Sequence, residues 1–183
     1  MDHYIDIQIK PDAEMRENVL LNNVYTKLHK ALFSLKSIDI GVSFPLHKIL
    51  LGKTLRIHSS KVRIEELQDL KWLGGLAGYC SLSSILPIPD TVGYRVISRK
   101  QATMTQSKLN RLIKRGSISE DEAKQYRAKM FTQGLDNPYV ELTSGSNGHK
   151  HRRYIQFGEL MDSPQLGQFD QFGLSKTATV PWF

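Results

Sequence analysis

What most limits the fold of this chain is a change of hydrophobic period that repeats along its first half. Ile5, Ile7 and Ile9 alternate with Tyr4, Asp6 and Gln8, which predicts a strand over Asp2 to Lys10 with one inward face. Pro11 and Asp12 end it. Leu21, Val24, Leu28, Ala31, Leu32 and Leu35 then recur at helical spacing within Ala13 to Lys36. Further strands are predicted at Ile40 to Phe44, closed by Pro45, and at Thr54 to Ser59, with Leu55 and Ile57 inward. Helical spacing returns over Val62 to Trp72, and Leu82 to Ile88 reads as a fourth strand before Pro89. The order βαββαβ is the ferredoxin-like, RRM-like plan. It hosts RNA binders, metal carriers and enzymes alike, so it decides no function.

Pro87, Pro89, Asp90 and Gly93 mark a natural boundary, which divides the chain into units 1–92 and 93–183. In the second unit Tyr94 to Ser98 is strand-like, and Ser107 to Arg115 is helical and stopped by Gly116. Ser119 and Glu122 form a capping box that opens a helix running to about Phe131. Tyr139 to Leu142 and Arg152 to Phe157 read as two strands joined by a loop holding Gly145, Asn147 and Gly148. The tail, ending in Trp182 and Phe183, is too apolar to stay solvated and should dock on the body. The expected class is α+β, with a basic C-terminal domain carrying an arginine-rich helix.

The formal charge is +7, and its distribution is uneven. Gly93 to Arg153 contains 13 Lys and Arg against 5 Asp and Glu, while the remainder sums to −1. A polyanion is the expected partner. The charges spread over a short helix, a strand and loops rather than edging one broad apolar helix face, which favours nucleic acid over a membrane surface. No apolar run approaches the ~20 residues of a membrane span, and nothing at the start resembles a secretory signal. These features predict a cytoplasmic protein, monomeric when free. Cys80, the single cysteine, supplies neither an internal disulfide nor a thiolate metal site, and reads as a core residue.

On the Ser107 to Arg115 helix, Lys108, Arg111 and Arg115 share a face, with Lys114 beside them. No Asp or Glu occurs from Gly93 until Glu120, so these charges repel one another unless an outside anion is present. RNA phosphates would supply it. Such a helix holds phosphates and detects shape, because the deep A-form groove hides base edges. Arg99 and Gln101 are the residue types that pair with guanine and adenine edges.

For chemistry, no metal-ligand spacing stands out: no H-E-x-x-H occurs, and the acidic residues are dispersed. No metal or other cofactor is expected. RNA can instead be cut by its own 2′-hydroxyl, which needs a proton acceptor and an orienting donor. A histidine suits the first task. Among six candidates His29 sits at the margin of the first helix's apolar stripe, with Tyr25 and Phe33 one turn to either side. Ser144 or Ser146, beside glycine, could orient the hydroxyl.

These signals join a set of ordered motifs: D-H-Y-I-D-I at the start, K-L-H-K-A-L around His29, I-G-V-S-F-P at Ile40 to Pro45, and L-R-I-H at Leu55 to His58. Y-R-V-I-S-R-K-Q follows at Tyr94 to Gln101, then the basic helix, F-G-L-S-K and V-P-W-F. Nearly end to end, the chain resembles the CRISPR type I-F repeat-processing endoribonucleases, the Cas-six subtype F or Csy-four family. The resemblance implies a ferredoxin-like N-terminal half and an arginine-rich helix gripping an RNA hairpin. It implies metal-independent cleavage at the 3′ base of the stem, leaving a 2′,3′-cyclic phosphate and a 5′-hydroxyl. The product would be retained among the subunits of a crRNA surveillance complex. By resemblance His29 is catalytic and Ser144 positions the 2′-hydroxyl, Arg99 and Gln101 read bases, and Arg111, Lys114 and Arg115 hold phosphates. Three positions depart from the family pattern. Phe172 replaces a tyrosine before G-L-S-K, His151 stands near an expected stacking phenylalanine, and Lys114 replaces an arginine. The first of these motivates an alternative, a non-catalytic subunit that only holds hairpin RNA. Sequence-specific DNA binding is a third possibility and rests on charge alone.

Overall fold

The computed structural model describes residues 1–101, 104–132, 136–143 and 148–183. Strand β1 (His3–Ile9) buries Ile5, Ile7 and Ile9 as the alternation requires. Helix α1 (Glu17–Ser34) starts later than the predicted Ala13, because the Asp12 carboxylate accepts from the Glu14 and Met15 amides and holds a turn there. Its Leu20, Leu21, Val24, Tyr25, Leu28, Ala31 and Leu32 are buried. Strands β2 (Gly41–Ser43) and β3 (Thr54–Ser59) and helix α2 (Lys61–Asp69) follow as expected, α2 capped by Ser60.

The predicted strand over Leu82 to Ile88 is corrected. A 3-10 turn (Gly74–Tyr79) leads instead into two short strands, β4 (Cys80–Leu82) and β5 (Leu86–Pro87), both antiparallel to β1. The interruption has a local cause: the Ser83 hydroxyl accepts the Asp6 amide, and the Ser83 amide donates to the Asp6 carbonyl, so side chain replaces strand at that point. The first sheet runs β2-β3-β1-β4, with β5 also on β1. Cys80 is buried.

The second sheet is antiparallel in the order β7-β8-β6-β9, from β6 (Gly93–Lys100), β7 (Tyr139–Thr143), β8 (Lys150–Met161) and β9 (Thr179–Trp182). The tail docks as its apolar composition suggested, β9 pairing with Gly93 to Val96. Strand β6 is longer than predicted, so Arg99 lies within it, opposite Ile155 of β8. Between β6 and β7 stand α3 (Gln106–Lys114), capped by Thr105, and α4 (Glu120–Thr132). The capping box forms as read: the Glu122 carboxylate accepts from the Ser119 amide at 2.7 Å, and the Ser119 hydroxyl from the Glu122 amide at 3.2 Å. The class is therefore α+β. Among the described residues no helix is long and apolar enough to cross a membrane.

Buried residues of both sheets form one cluster, in which Ile97, Val140, Ile155 and Val180 join the isoleucines and leucines of the first half. Several separated motifs converge on one side of it. Asp6 takes two hydrogen bonds from Arg56, at 2.7 and 2.8 Å, and Arg56 donates a third to the Phe183 carbonyl at 2.9 Å. The same guanidinium lies over the Tyr4 and Phe183 rings. His58 is fully buried and hydrogen-bonded to Ser43 at 2.8 Å, tying β3 to β2. Burial pushes its pKa down to about 3, so it is neutral in the native state. The opening motif, L-R-I-H and the final phenylalanine thus meet in structural contacts.

Candidate active site and basic cleft

His29 is half-buried on α1, and a single loop from β8's far end reaches back to hold it. Asp170 shapes that loop: its carboxylate accepts from the Phe172 amide at 2.8 Å and the Leu174 amide at 3.0 Å. Gly173 turns with φ +69° and packs so closely on β2 that a Cβ would stand 2.7 Å from a Val42 methyl, so only glycine fits. Its carbonyl accepts from the Val42 amide. Two bonds then fix the loop to α1. Tyr25 donates its hydroxyl proton to the Phe172 carbonyl at 2.7 Å, and His29 Nδ1 donates to the Gln171 carbonyl at 2.9 Å. A carbonyl only accepts, so Nδ1 carries a proton, and in the neutral tautomer that this selects the lone pair is on Nε2.

The Phe172 ring lies flat on the imidazole, centroids 3.7 Å apart and planes 7° from parallel. The guanidinium of Arg153, from β8, sits 3.5 Å from the same ring's centroid. Two groups that close to one centroid cannot share a face without overlapping, so His29 and Arg153 sandwich Phe172. Arg153 is 8% exposed, and its Nε is buried without a hydrogen-bond partner among the described residues. Burial, then the like charge of Arg99, lower its pKa, against the opposing pull of Tyr25 and Asp170. Burial and Asp170 in turn raise that of the Tyr25 phenol.

On the Arg153 side the sandwich borders a cleft of about 710 Å³, lined among others by Phe33, Lys36, Arg99 and Asp170. A second cleft of about 640 Å³ shares Arg99, Arg153, Phe169 and Asp170 with it and adds Gln101 and Lys176. The shared trough is cationic, with Asp170 its one acid among the described lining residues, one oxygen of which is already committed to the loop. Arg99 and Gln101 are exposed at its edge. The fold brings His29, Phe172, Arg99 and Gln101 to this region.

Lys108, Arg111 and Lys114 lie exposed on α3, with Arg115 exposed at its C-terminal cap, and Leu109 of the helix is buried. Arg111, Lys114 and Arg115 make no ion pair with the described residues, and Arg111 Nε donates only to the Ser107 carbonyl. His151 is exposed on β8, opposite Leu142 of β7. Ser144 and Ser146 lie outside the described residues. Among the described residues no three His, Cys, Asp or Glu side chains gather as a metal-holding group.

The comparison that decides the family covers almost the whole chain: residues 4–183 match the family model for the CRISPR-associated protein Cas_Csy4. The chain belongs to the Csy4 family. Two curated members, each a CRISPR-associated endonuclease Cas6/Csy4, are 37% identical over the full length of both chains, one from Escherichia coli strain UTI89 and one from Pseudomonas aeruginosa strain UCBPP-PA14. A solved RAMP protein described as binding different RNA substrates aligns over 98% of this chain and 99% of its own, at 13% identity and a TM-score of 0.33, too remote to bear on fold or function.

Within the Csy4 frame, Arg153 and Asp170 are the residues around His29 and Phe172 that sequence reasoning did not name. Arg153 left a signal. In the predicted strand Arg152 to Phe157 it shares a face with Ile155 and Phe157, so strand alternation directs an arginine inward, where one needs a reason to be. Tyr25 reads in sequence only as a neighbour one turn from His29, because its bond to Phe172 spans the fold, whereas Asp170 bonds amides two and four residues on, a local turn signal that sequence reasoning passed over.

Proposed function

We propose that this chain is a hairpin-specific CRISPR endoribonuclease that cuts precursor crRNA at the 3′ base of a repeat stem and keeps the product. The observation that carries the reading is the tethered imidazole. With Nδ1 committed to the Gln171 carbonyl, the Nε2 lone pair of His29 is oriented to accept a proton. Removing the proton of a 2′-hydroxyl lets that oxygen attack the adjacent phosphorus. The 5′-oxygen leaves, giving a 2′,3′-cyclic phosphate and a 5′-hydroxyl. No metal is needed for that step. Ser144 is the proposed donor that orients the 2′-hydroxyl, Ser146 its neighbour, and His151 a surface on which a base can stack.

The exposed cations of α3 suit the phosphates of a stem, and Arg99 and Gln101, at the edge of the trough, suit base edges. We assign hairpin binding to 93–183 and the catalytic histidine to 1–92, a ferredoxin-like unit by its strand order β2-β3-β1-β4. The retained product would enter a type I-F surveillance complex in the cytoplasm.

A second reading, an RNA-holding subunit with a retired site, is favoured by Phe172, which brings no hydroxyl to His29. The deciding experiment incubates wild type and His29→Ala with a repeat-hairpin RNA in EDTA and identifies the product ends. A cyclic phosphate from wild type, lost in the variant with binding retained, is the expected result. Binding without cutting by either protein would leave the holding subunit, and a divalent-metal requirement would remove the proposed chemistry.

A further inference from the structure

We infer that Arg153 is a positioning residue for His29, acting through Phe172: its buried guanidinium presses the ring flat against the imidazole and keeps Nε2 aimed. This rests on the proposed role of His29.

The guanidinium lies 3.5 Å from the ring centroid, and the imidazole 3.7 Å from it on the other face, 7° from parallel. A cation over one face of a benzene ring is attracted by the ring's negative face, most strongly where water is excluded. Arg153 is 8% exposed and its Nε is buried with no hydrogen-bond partner among the described residues, so the contact with the ring is made where water is largely excluded. The ring gains as much from the pairing as the arginine does. The main chain of Phe172 is fixed by Tyr25 and Asp170, but no bond holds its side chain. The imidazole is likewise tethered at Nδ1 alone, which leaves it able to swing about that bond. The stack removes that freedom, and Arg153 closes it from behind. Phe172 has no hydroxyl with which to fix the imidazole by hydrogen bonding. A rigid three-layer stack achieves the same end by packing, where a displacement of an ångström is costly to rate. The charged groups around the stack are Asp170 in the loop, Arg99 on β6 and Tyr25 on α1, each already felt by Arg153.

The competing role for Arg153, a direct RNA-phosphate contact in the cleft, predicts different results. Arg153→Met keeps the length and apolar contact of the side chain and removes charge and planarity. Its single-turnover cleavage rate should fall roughly tenfold, while hairpin affinity stays within about twofold. In the protein without RNA, the His29 ring-proton resonances, shielded by the stacked Phe172 ring, should move towards unstacked positions with the other histidines unchanged. Arg153→Lys, which retains charge without the flat contact, should recover part of the rate. In a Phe172→Leu background Arg153→Met should slow cleavage no further. An unchanged rate or unmoved His29 resonances would overturn the inference, as would an affinity loss that persists in the Phe172→Leu background. The resonance experiment needs no RNA, so failure of wild type to cut RNA would sink the proposed function while leaving the stack testable. If Arg153→Met melts below the working temperature, the lysine variant carries the same comparison.

Discussion

Two histidines in this protein are held in nearly the same way and stand in different company. His29 lies on Phe172 at 3.7 Å with Nδ1 on the Gln171 carbonyl, and His47 lies on Phe157 at 3.6 Å, also 7° from parallel, with Nδ1 on the Phe44 carbonyl at 3.0 Å. Around His47 the neighbours are structural. Trp182 meets it edge-on, and Arg95 sits over the Trp182 indole, so the cluster rivets the end of β2 to β8 and β9. Burial, helped by the charge of Arg95, pushes its pKa down against the pull of the Phe44 hydrogen bond. The ring beneath His29 instead borders a cleft with Lys36, Arg99 and Arg153 on its walls. A stacked, carbonyl-tethered imidazole is therefore only a way of holding histidine. What sets the two apart is the basic cleft that the fold places beside one of them.

The sharpest way to break the comparison is to remove each imidazole. His29→Ala should lower single-turnover cleavage by about 10²- to 10⁴-fold, the usual span for a lost general base, with hairpin affinity retained. His47→Ala should leave the rate within about threefold and lower the melting temperature instead. Equal losses of cleavage would mean that the contact geometry, not its setting, marks the site. Removing the platforms is the next test. Phe172→Ala should cost roughly tenfold or more in rate. Phe157→Ala should cost about 2 kcal/mol in denaturant melts, a partial cavity penalty for a half-buried ring, with cleavage near normal.

A pH effect separates both from a third histidine. His58 is neutral when folded, with a pKa of about 3 against 6.5 when unfolded. The unfolded chain therefore binds the extra proton, and the contribution to stability is pH-independent above about 6.5. Stability then declines as pH falls from there towards 3, by at most roughly 1.4 kcal/mol per pH unit. His58→Gln should flatten that part of the acid limb, followed by urea melts from pH 7 to 4. His47, lowered in the same direction, should add a shallower slope of the same sign. Cleavage rates of His58→Gln at neutral pH, in contrast to those of His29→Ala, should stay within about threefold of wild type.

Much of the frame was legible because it depends on neighbours in sequence. Alternation of Ile5, Ile7 and Ile9 requires a strand, the Ser119 and Glu122 spacing requires a capping box, and the apolar ending requires a docked tail, all of which the fold contains. The broken strand after the 3-10 turn was not legible, since the Ser83 bonds that interrupt it reach 77 residues back to Asp6. Residue type and position on α1 made His29 one candidate among six, which only the family resemblance singled out, while the cationic face of α3 was legible by charge.

By itself, then, the sequence determined the elements, their periodic faces, the basic bias of the second half and the family. The tertiary structure alone decided which histidine stacks on a ring that borders a basic cleft, how its tautomer is set, and that an arginine is buried against the far face of that ring. The physical reason is range. Periodicity and capping act over a turn or a few residues, whereas the Tyr25 bond to Phe172 and the His29 bond to Gln171 close loops of 147 and 142 residues. Such contacts exist only once both sheets have packed into their common core.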